Sequence, residues 1–422
     1  MSSSKTFLIF SQTFVPDPAA VGQQMADAAF EMARRGHRVV VYAAARGYDD
    51  PSLKYPAREV INGVVIRRLK FSSFGKQSLL KRVFGTATFL LQCIWLGLTT
   101  PNVGAIFFST SPPMIGAAAA IARVLRGIPI IYWAMDLNPD QLIAMGKVSG
   151  DGLIARVLER ANRFILRHCS LVIALDRFMA ERLRPRAHLE GRMLVLPPWP
   201  HEQFIAPIAH EENPFRQKHR LEGKFVVMYS GNHSSANPLD TVLEAAVRLK
   251  GEEEIRFLFV GGGTGKKAVD AFIRDHHLEN ALSLPYQPMG ELRYSLSAAD
   301  VHVVTLGDNM VGIVHPCKIY GAMAASRPVL FVGPKPSHVS DLLDRYDFGL
   351  RVAHGDVEGA VAAIRSLRDA GAEGRREMGE LARRALRGGL SQRQLSGRLC
   401  EALERVLSGE HTIGPPCVEY SG

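Results

Sequence analysis

Phe7-Leu8-Ile9-Phe10-Ser11 is a short apolar run that reads as a buried strand, and the loop after it, residues 12–20, is punctuated by Pro16 and Pro18. Val21, Met25, Ala29 and Met32 then recur at i, i+4, i+8 and i+11, the spacing of one helix face. Gly36 stands where a left-handed residue would close that helix, and residues 38–43 resume as a strand. The pattern begins again with a strand at Phe225–Ser230, the loop Gly231-Asn232-His233-Ser234-Ser235, a periodic helix over 240–249 and a strand over 256–260. Two such units predict an α/β chain: two Rossmann-like, doubly wound parallel-sheet domains facing across a ligand cleft.

Further strands are expected at Val64–Leu69, 105–109, 129–133, Leu171–Ala174 and 193–196 in the first half. In the second they fall at 282–284, Val301–Thr305, 328–332 and 350–352, with helices between. Pro197-Pro198-Trp199-Pro200 continues neither a helix nor a central strand. The expected organisation is therefore an N-terminal domain over 1–196, a linker over 197–222 and a C-terminal domain over 223–385. A helix over 386–408 follows, with Leu395, Leu399, Leu403 and Val406 on one face, crossing back to the N-terminal domain. A loose tail over 409–422 closes the chain.

The 422 residues suit two cores of roughly 150–200 residues each. A composition of 47% hydrophobic and 22% charged residues excludes large-scale disorder. Five scattered cysteines, with no C-x-x-C pair, argue against a zinc site or disulfide framework and fit a reducing compartment. The first apolar run is too short for a signal-peptide core, so a cytoplasmic location is expected. The net charge of +10 favours anionic partners. The basic residues form no tail and aromatics do not interleave with them, so nucleic acid is not an expected partner.

Arg67, Arg68, Lys70, Lys76, Lys81 and Arg82 precede an uncharged stretch over 83–122. A membrane span needs roughly 20 apolar residues. Residues 84–98 fall short, Gln92 interrupts them, and Pro101, Pro112 and Pro113 break the remainder. Two compatible readings stand: a buried helix inside a Rossmann-like layer, and a helix over 78–98 whose outer face rests peripherally on an anionic membrane.

Residues 312–328 carry the most specific pattern. Pro316 suits the first position of a helix, which places Lys318 in its first turn, beside the positive end of the helix dipole. Uncompensated, that placement costs about 0.3–1 kcal/mol. A bound diphosphate reverses the sign, because N–H groups, dipole and ammonium then meet one anion. The bland alternative leaves Lys318 in solvent and Tyr320 packed. Gly231, Asn232 and His233 open a loop at another helix start, and the run Gly261-Gly262-Gly263 either admits a ligand to the backbone or only turns the chain. Asp136 and Asn138 follow a strand end, where ligands of open α/β sheets sit; Asp136 either orients or deprotonates a hydroxyl there, or caps a turn before Pro139.

Several of these stretches together resemble a known family. They are the strand, glycine-containing loop and helix at each domain start, Ala298-Ala299-Asp300-Val301, the segment Pro316-Cys317-Lys318-Ile319-Tyr320, the Phe14-Val15-Pro16 loop leading to Gly22, and Arg34-Arg35-Gly36-His37-Arg38-Val39-Val40-Val41. The chain resembles the GT-B glycosyltransferases of family four, in particular bacterial enzymes that build lipopolysaccharide O-antigen, capsule and exopolysaccharide. The resemblance implies transfer of a sugar, with retention, from a nucleoside diphosphate donor, UDP-linked, to a lipid-linked or polysaccharide acceptor. The C-terminal domain would hold the donor through Gly231, Asn232, His233, Gly262, His315, Pro316, Lys318 and Tyr320, with Gly22 near the transferred sugar. Asp136 and Asn138 would face the acceptor, and Asp136 and Lys318 would be catalytic. Breaking a glycosyl–phosphate bond demands stabilisation of a leaving diphosphate, which amides and a lysine meet without metal or cofactor. Most of the family carries a Glu, seven residues and a second Glu here; Ile313 and Gly321 occupy those positions. Two other uses of the fold remain open, a non-catalytic subunit that binds glycan or a partner, and a nucleotide-sugar 2-epimerase, which needs carboxylates beside the sugar.

Overall fold

The computed structural model describes residues 5–17, 19–47, 50–72, 79–201 and 204–410; Lys76, and the expected tail from residue 411 onward, lie outside these. The chain forms two compact units. One comprises the described residues up to Pro198 together with those from Arg393 onward, the other Trp199–Gln392.

The first unit holds eight strands: β1 (Thr6–Phe10), β2 (Arg38–Ala44), β3 (Arg58–Ile61), β4 (Val64–Leu69), β5 (Val103–Phe108), β6 (Ile130–Trp133), β7 (Leu171–Ala174) and β8 (Met193–Val195). They lie in the order β3-β4-β2-β1-β5-β6-β7-β8. Neighbours are parallel except at the edge, where β3 pairs antiparallel with β4. β3 is not among the strands expected from the sequence. Its signal is the turn Asn62-Gly63, both residues at positive φ (49° and 81°), a favoured two-residue hairpin.

Helices cover both faces, so the central strands are apolar on both sides rather than alternating. Every residue of β1 is buried. The rings of Phe7, Phe107 and Trp133 stack across β1, β5 and β6 with successive centroids 5.9 Å apart. Each fully buried phenylalanine contributes about 1.5–3 kcal/mol. Gly36, at φ 90°, follows the helix Ala20–Arg34 as its sequence position requires. The last helix, Gln392–Ser408, buries Leu395, Leu399, Leu403 and Val406. Its Glu404 receives Arg35 Nη1 at 2.9 Å and meets His37 Nε2 at 3.0 Å.

The second unit holds β9 (Phe225–Ser230), β10 (Ile255–Val260), β11 (Ala281–Leu284), β12 (Val301–Thr305), β13 (Val329–Val332) and β14 (Gly349–Val352). All pair parallel, in the order β11-β10-β9-β12-β13-β14. The chain starts in the middle, winds one way, then reverses between β9 and β12. The carboxyl ends flanking such a reversal are where open α/β sheets bind ligands. Within the stretch expected as a linker, Pro214–Lys218 is a helix capped by Asn213. Its Phe215 packs on Val226, Met228 and Leu258, and Arg216 Nη1 lies 3.3 Å from Asp300 Oδ2, so this part is attached to the sheet.

Candidate active site

Two glycine-containing loops leave adjacent strand ends in the second unit, one after β9 and one after β10. They lie backbone against backbone. The Gly231 N–H donates to Val260 O (2.9 Å), His233 N–H to Gly262 O (2.7 Å), and Gly265 N–H to His233 O (3.0 Å). Gly261, at φ 129°, leaves no room for a side chain: a Cβ there would stand 2.0 Å from the Gly231 carbonyl oxygen. Gly261→Ala is therefore expected to cost about 1–3 kcal/mol through strain and displacement of the facing loop. Urea unfolding checks this; an unshifted midpoint would mean the loops separate freely.

Lys318 reaches this corner from the loop after β12. It is the first residue of the helix Lys318–Ala324; Pro316 precedes the helix rather than opening it, although its carbonyl accepts the Ile319 N–H at 3.3 Å. The lysine stem lies over Gly231, where a Cβ would meet Lys318 Cε at 2.4 Å. The ammonium donates to Asn237 Oδ1 at 3.2 Å and stands 5.3 Å from the centroid of the Tyr229 ring. Those contacts hold a cation at a helix start without a ligand. Burial pushes its pKa down to about 8.

His233 is buried beneath the same loops. Its Nδ1 lies 3.1 Å from Gly231 O and 3.3 Å from Gly262 O, and both are acceptors, so Nδ1 carries the proton. Its Nε2 is enclosed with no hydrogen-bond partner among the described residues. Burial, then the nearby Lys266 charge, hold its pKa below the ordinary histidine value, with a smaller push from Lys318. Lys266 Nζ donates to Phe259 O (2.7 Å) and Leu284 O (2.9 Å). Asn232 is exposed, with its carbonyl accepting the Tyr229 hydroxyl at 2.6 Å. Gly262 faces the exposed Tyr286 ring, to which a Cβ would approach within 2.8 Å. The structure thus gathers Gly231, Asn232, His233, Gly262 and Lys318 at the carboxyl ends of β9, β10 and β12.

His315 and Tyr320 form a second group. The Tyr320 hydroxyl lies 2.8 Å from His315 Nε2 and 2.8 Å from His338 Nε2, and all three residues are buried. A phenol has one proton, which reaches one imidazole while the oxygen accepts from the other. Ile313 is buried, and the space beside Gly321 is bounded by Leu296, so no carboxylate stands at either position.

In the first unit, Gly22 is buried in the helix Ala20–Arg34. A Cβ there would stand 3.0 Å from Thr13 C and 3.1 Å from Phe14 N. The chain's own loop after β1 therefore already crowds a side chain at this position. Asp136 follows β6 and lines a recess with Tyr132, Asn138, Asn162 and Arg186. Its carboxylate has no hydrogen bond among the described residues, and burial raises its pKa to about 6. It does not cap the helix Asp140–Ala144, whose N-cap is Pro139 without a side-chain bond. Asp140, not Asp136, pairs with Arg186 at 2.6 Å. The Asn138 carbonyl accepts from Asn162 Nδ2.

Residues 20–199 match the Glycosyl transferase 4-like domain, and residues 211–385 match the Glycosyl transferases group 1 domain. The chain belongs to the family-four glycosyltransferases of the GT-B fold. It is 27% identical over 248 residues to the probable glycosyltransferase WbjE of Pseudomonas aeruginosa. That match covers 58% of this chain and spans 61% of the relative's length. Among solved structures it resembles HepE of Anabaena in complex with UDP and glucose, with TM-score 0.71, 15% identity and coverage of 95% of this chain and 100% of that one. It also resembles WaaG, a glycosyltransferase involved in lipopolysaccharide biosynthesis, with TM-score 0.68, 16% identity and coverage of 96% and 100%. These likenesses establish the two-sheet fold.

Asn237, Lys266, Tyr286 and His338 escape the sequence analysis. Lys266 follows Gly261-Gly262-Gly263-Thr264-Gly265, a glycine-rich loop running into a basic helix start, which is a usable signal. Asn237 and His338 carry none; only the sheet order brings them to Lys318 and Tyr320.

Proposed function

We propose that the chain transfers a sugar from a UDP-linked donor to a hydroxyl of a lipid-carried or polysaccharide acceptor in cell-surface glycan synthesis, with retention at the anomeric carbon. The observation that carries this proposal is the corner at the strand reversal, where Lys318 and two glycine loops converge. In the proposed reaction the C1–O bond to the β-phosphate breaks and its electron pair leaves with UDP. Lys318 and the loop amides offset that charge in place of a metal ion. The acceptor oxygen bonds to C1 from the face that the diphosphate leaves, which keeps the configuration, and its proton passes to Asp136. A pKa of about 6 leaves that carboxylate ionised at neutral pH yet basic enough to serve. Gly22 would lie near the transferred sugar, and His315, Tyr320 and Asn138 would orient donor and acceptor. The UDP and glucose bound by HepE support the choice of donor class. Resemblance to the family supports retention, and the acceptor class would place the reaction at the cytoplasmic face of the inner membrane.

Incubation with a panel of sugar nucleotides and a lipid-linked acceptor tests the proposal, with UDP release as the readout. No binding at millimolar UDP would instead favour a non-catalytic subunit. The Lys318 pKa also sets a pH dependence. Diphosphate binding favours the protonated amine and so raises its pKa above about 8. UDP affinity is then full below pH 8 and falls as pH rises through 8, by up to about tenfold per unit. Calorimetry across that range checks the sign; a flat profile would place the diphosphate elsewhere.

A further inference from the structure

No helix among the described residues is long and apolar enough to cross a membrane. Yet the first unit carries an unusual surface. Residues 60–135 contain no aspartate or glutamate, against eight lysines and arginines. The helix Leu79–Thr99 packs on Gly116–Arg126, which packs on Leu153–His168. The three connections β4 to β5, β5 to β6 and β6 to β7 all step the same way along the sheet, so the helices share one face.

The outward side of that layer is apolar in stripes. Phe84, Leu91 and Trp95 fall within a narrow arc of the first helix and are 58–67% exposed, while Phe89 and Cys93 on the opposite arc are fully buried. On the third helix Leu153, Val157 and Phe164 make a second exposed stripe. Arg156, Arg160 and Arg167 flank it, all exposed and without an ion pair among the described residues. Leu125, 66% exposed, stands out on the helix between. Arg126 ties that helix to the end of the first through the carbonyls of Gly97 and Thr100.

We propose that this three-helix face docks the protein on an anionic lipid leaflet, with Trp95, Phe84 and Leu153 entering the interface and the arginines meeting lipid phosphates. Large apolar side chains interleaved with arginines that form no ion pair among the described residues match such a surface in polarity and charge, and the one acid of the three helices, Glu159, is itself paired with Arg163 and Arg186. A second copy of the chain is a poor occupant, because pairing this face with itself would oppose arginines to arginines. Docking stands independently of the transfer reaction, since it involves none of the residues assigned to it.

Sedimentation of the full chain with vesicles provides the test, comparing phosphatidylcholine alone with phosphatidylcholine mixed with phosphatidylglycerol. Binding is expected only to the mixed vesicles, weakening in high salt and shifting tryptophan emission to the blue. The paired change Trp95→Ser and Leu153→Ser is expected to weaken partition at least about tenfold with an unchanged melting temperature. Arg156→Glu with Arg160→Glu is expected to weaken it comparably. UDP release with a soluble acceptor should be untouched by either pair, which separates failure of docking from failure of the transfer reaction. Absence of binding to the mixed vesicles, binding indifferent to both pairs, or self-association abolished by the Trp95 and Leu153 changes would each overturn the proposal.

Discussion

Lys318→Ala is expected to lower kcat/KM for the sugar nucleotide about 100-fold, the scale of losing one donor aimed at developing charge. The lysine stem lies over Gly231, between the loops after β9 and β12, and carries the ammonium to the strand reversal, where charge on a leaving diphosphate would be met. Among the described residues its ammonium meets Asn237 and the Tyr229 ring and forms no ion pair, so alanine removes little that the fold needs. The melting temperature should therefore move little while UDP release collapses. Kinetics within twofold of the parent, with melting unchanged, would remove Lys318 from the reaction and the proposed donor corner with it.

Asp136→Asn is expected to lower kcat by about 100-fold or more, the usual scale for a positioned general base. Asparagine keeps the shape and removes only the proton acceptor, so KM for the donor should stay unchanged. In the parent protein kcat/KM should rise about tenfold per pH unit below 6 and level off above it, because the carboxylate must be ionised to act. That acid limb should vanish in the asparagine variant. A limb that persists belongs to another group, and Asp136 would then be no more than a lining residue.

Much of this was legible in the sequence because it rests on local signals. Residues 7–10 and 225–229 lie in strands buried on both faces, and such strands are continuous apolar runs. Lys318 is legible because Pro316 and Arg327-Pro328 bracket a helix, although the helix starts two residues later than the proline suggests. Strand β3 is hard to read in the sequence because Arg58-Glu59-Val60-Ile61 is half polar, as suits an exposed edge strand. Gly22 is expected beside a ligand, and the contact that crowds a side chain there is with Thr13 and Phe14, eight to nine residues earlier in the same chain. His338 and Asn237 were invisible for a different reason. Each follows or precedes its partner by many residues, and only the order β9-β12-β13 decides that they meet.

The placement of the last helix has a practical consequence for anyone dividing the gene. Leu395, Leu399 and Leu403 fill the first unit, and Glu404 is clasped by Arg35 and His37, although the entire second unit intervenes in the chain. No single cut can yield two complete halves. A fragment ending at Pro198 would lack the helix that Arg35 and His37 clasp and is expected to be less stable unless the closing segment is expressed alongside it or grafted on through a short tether.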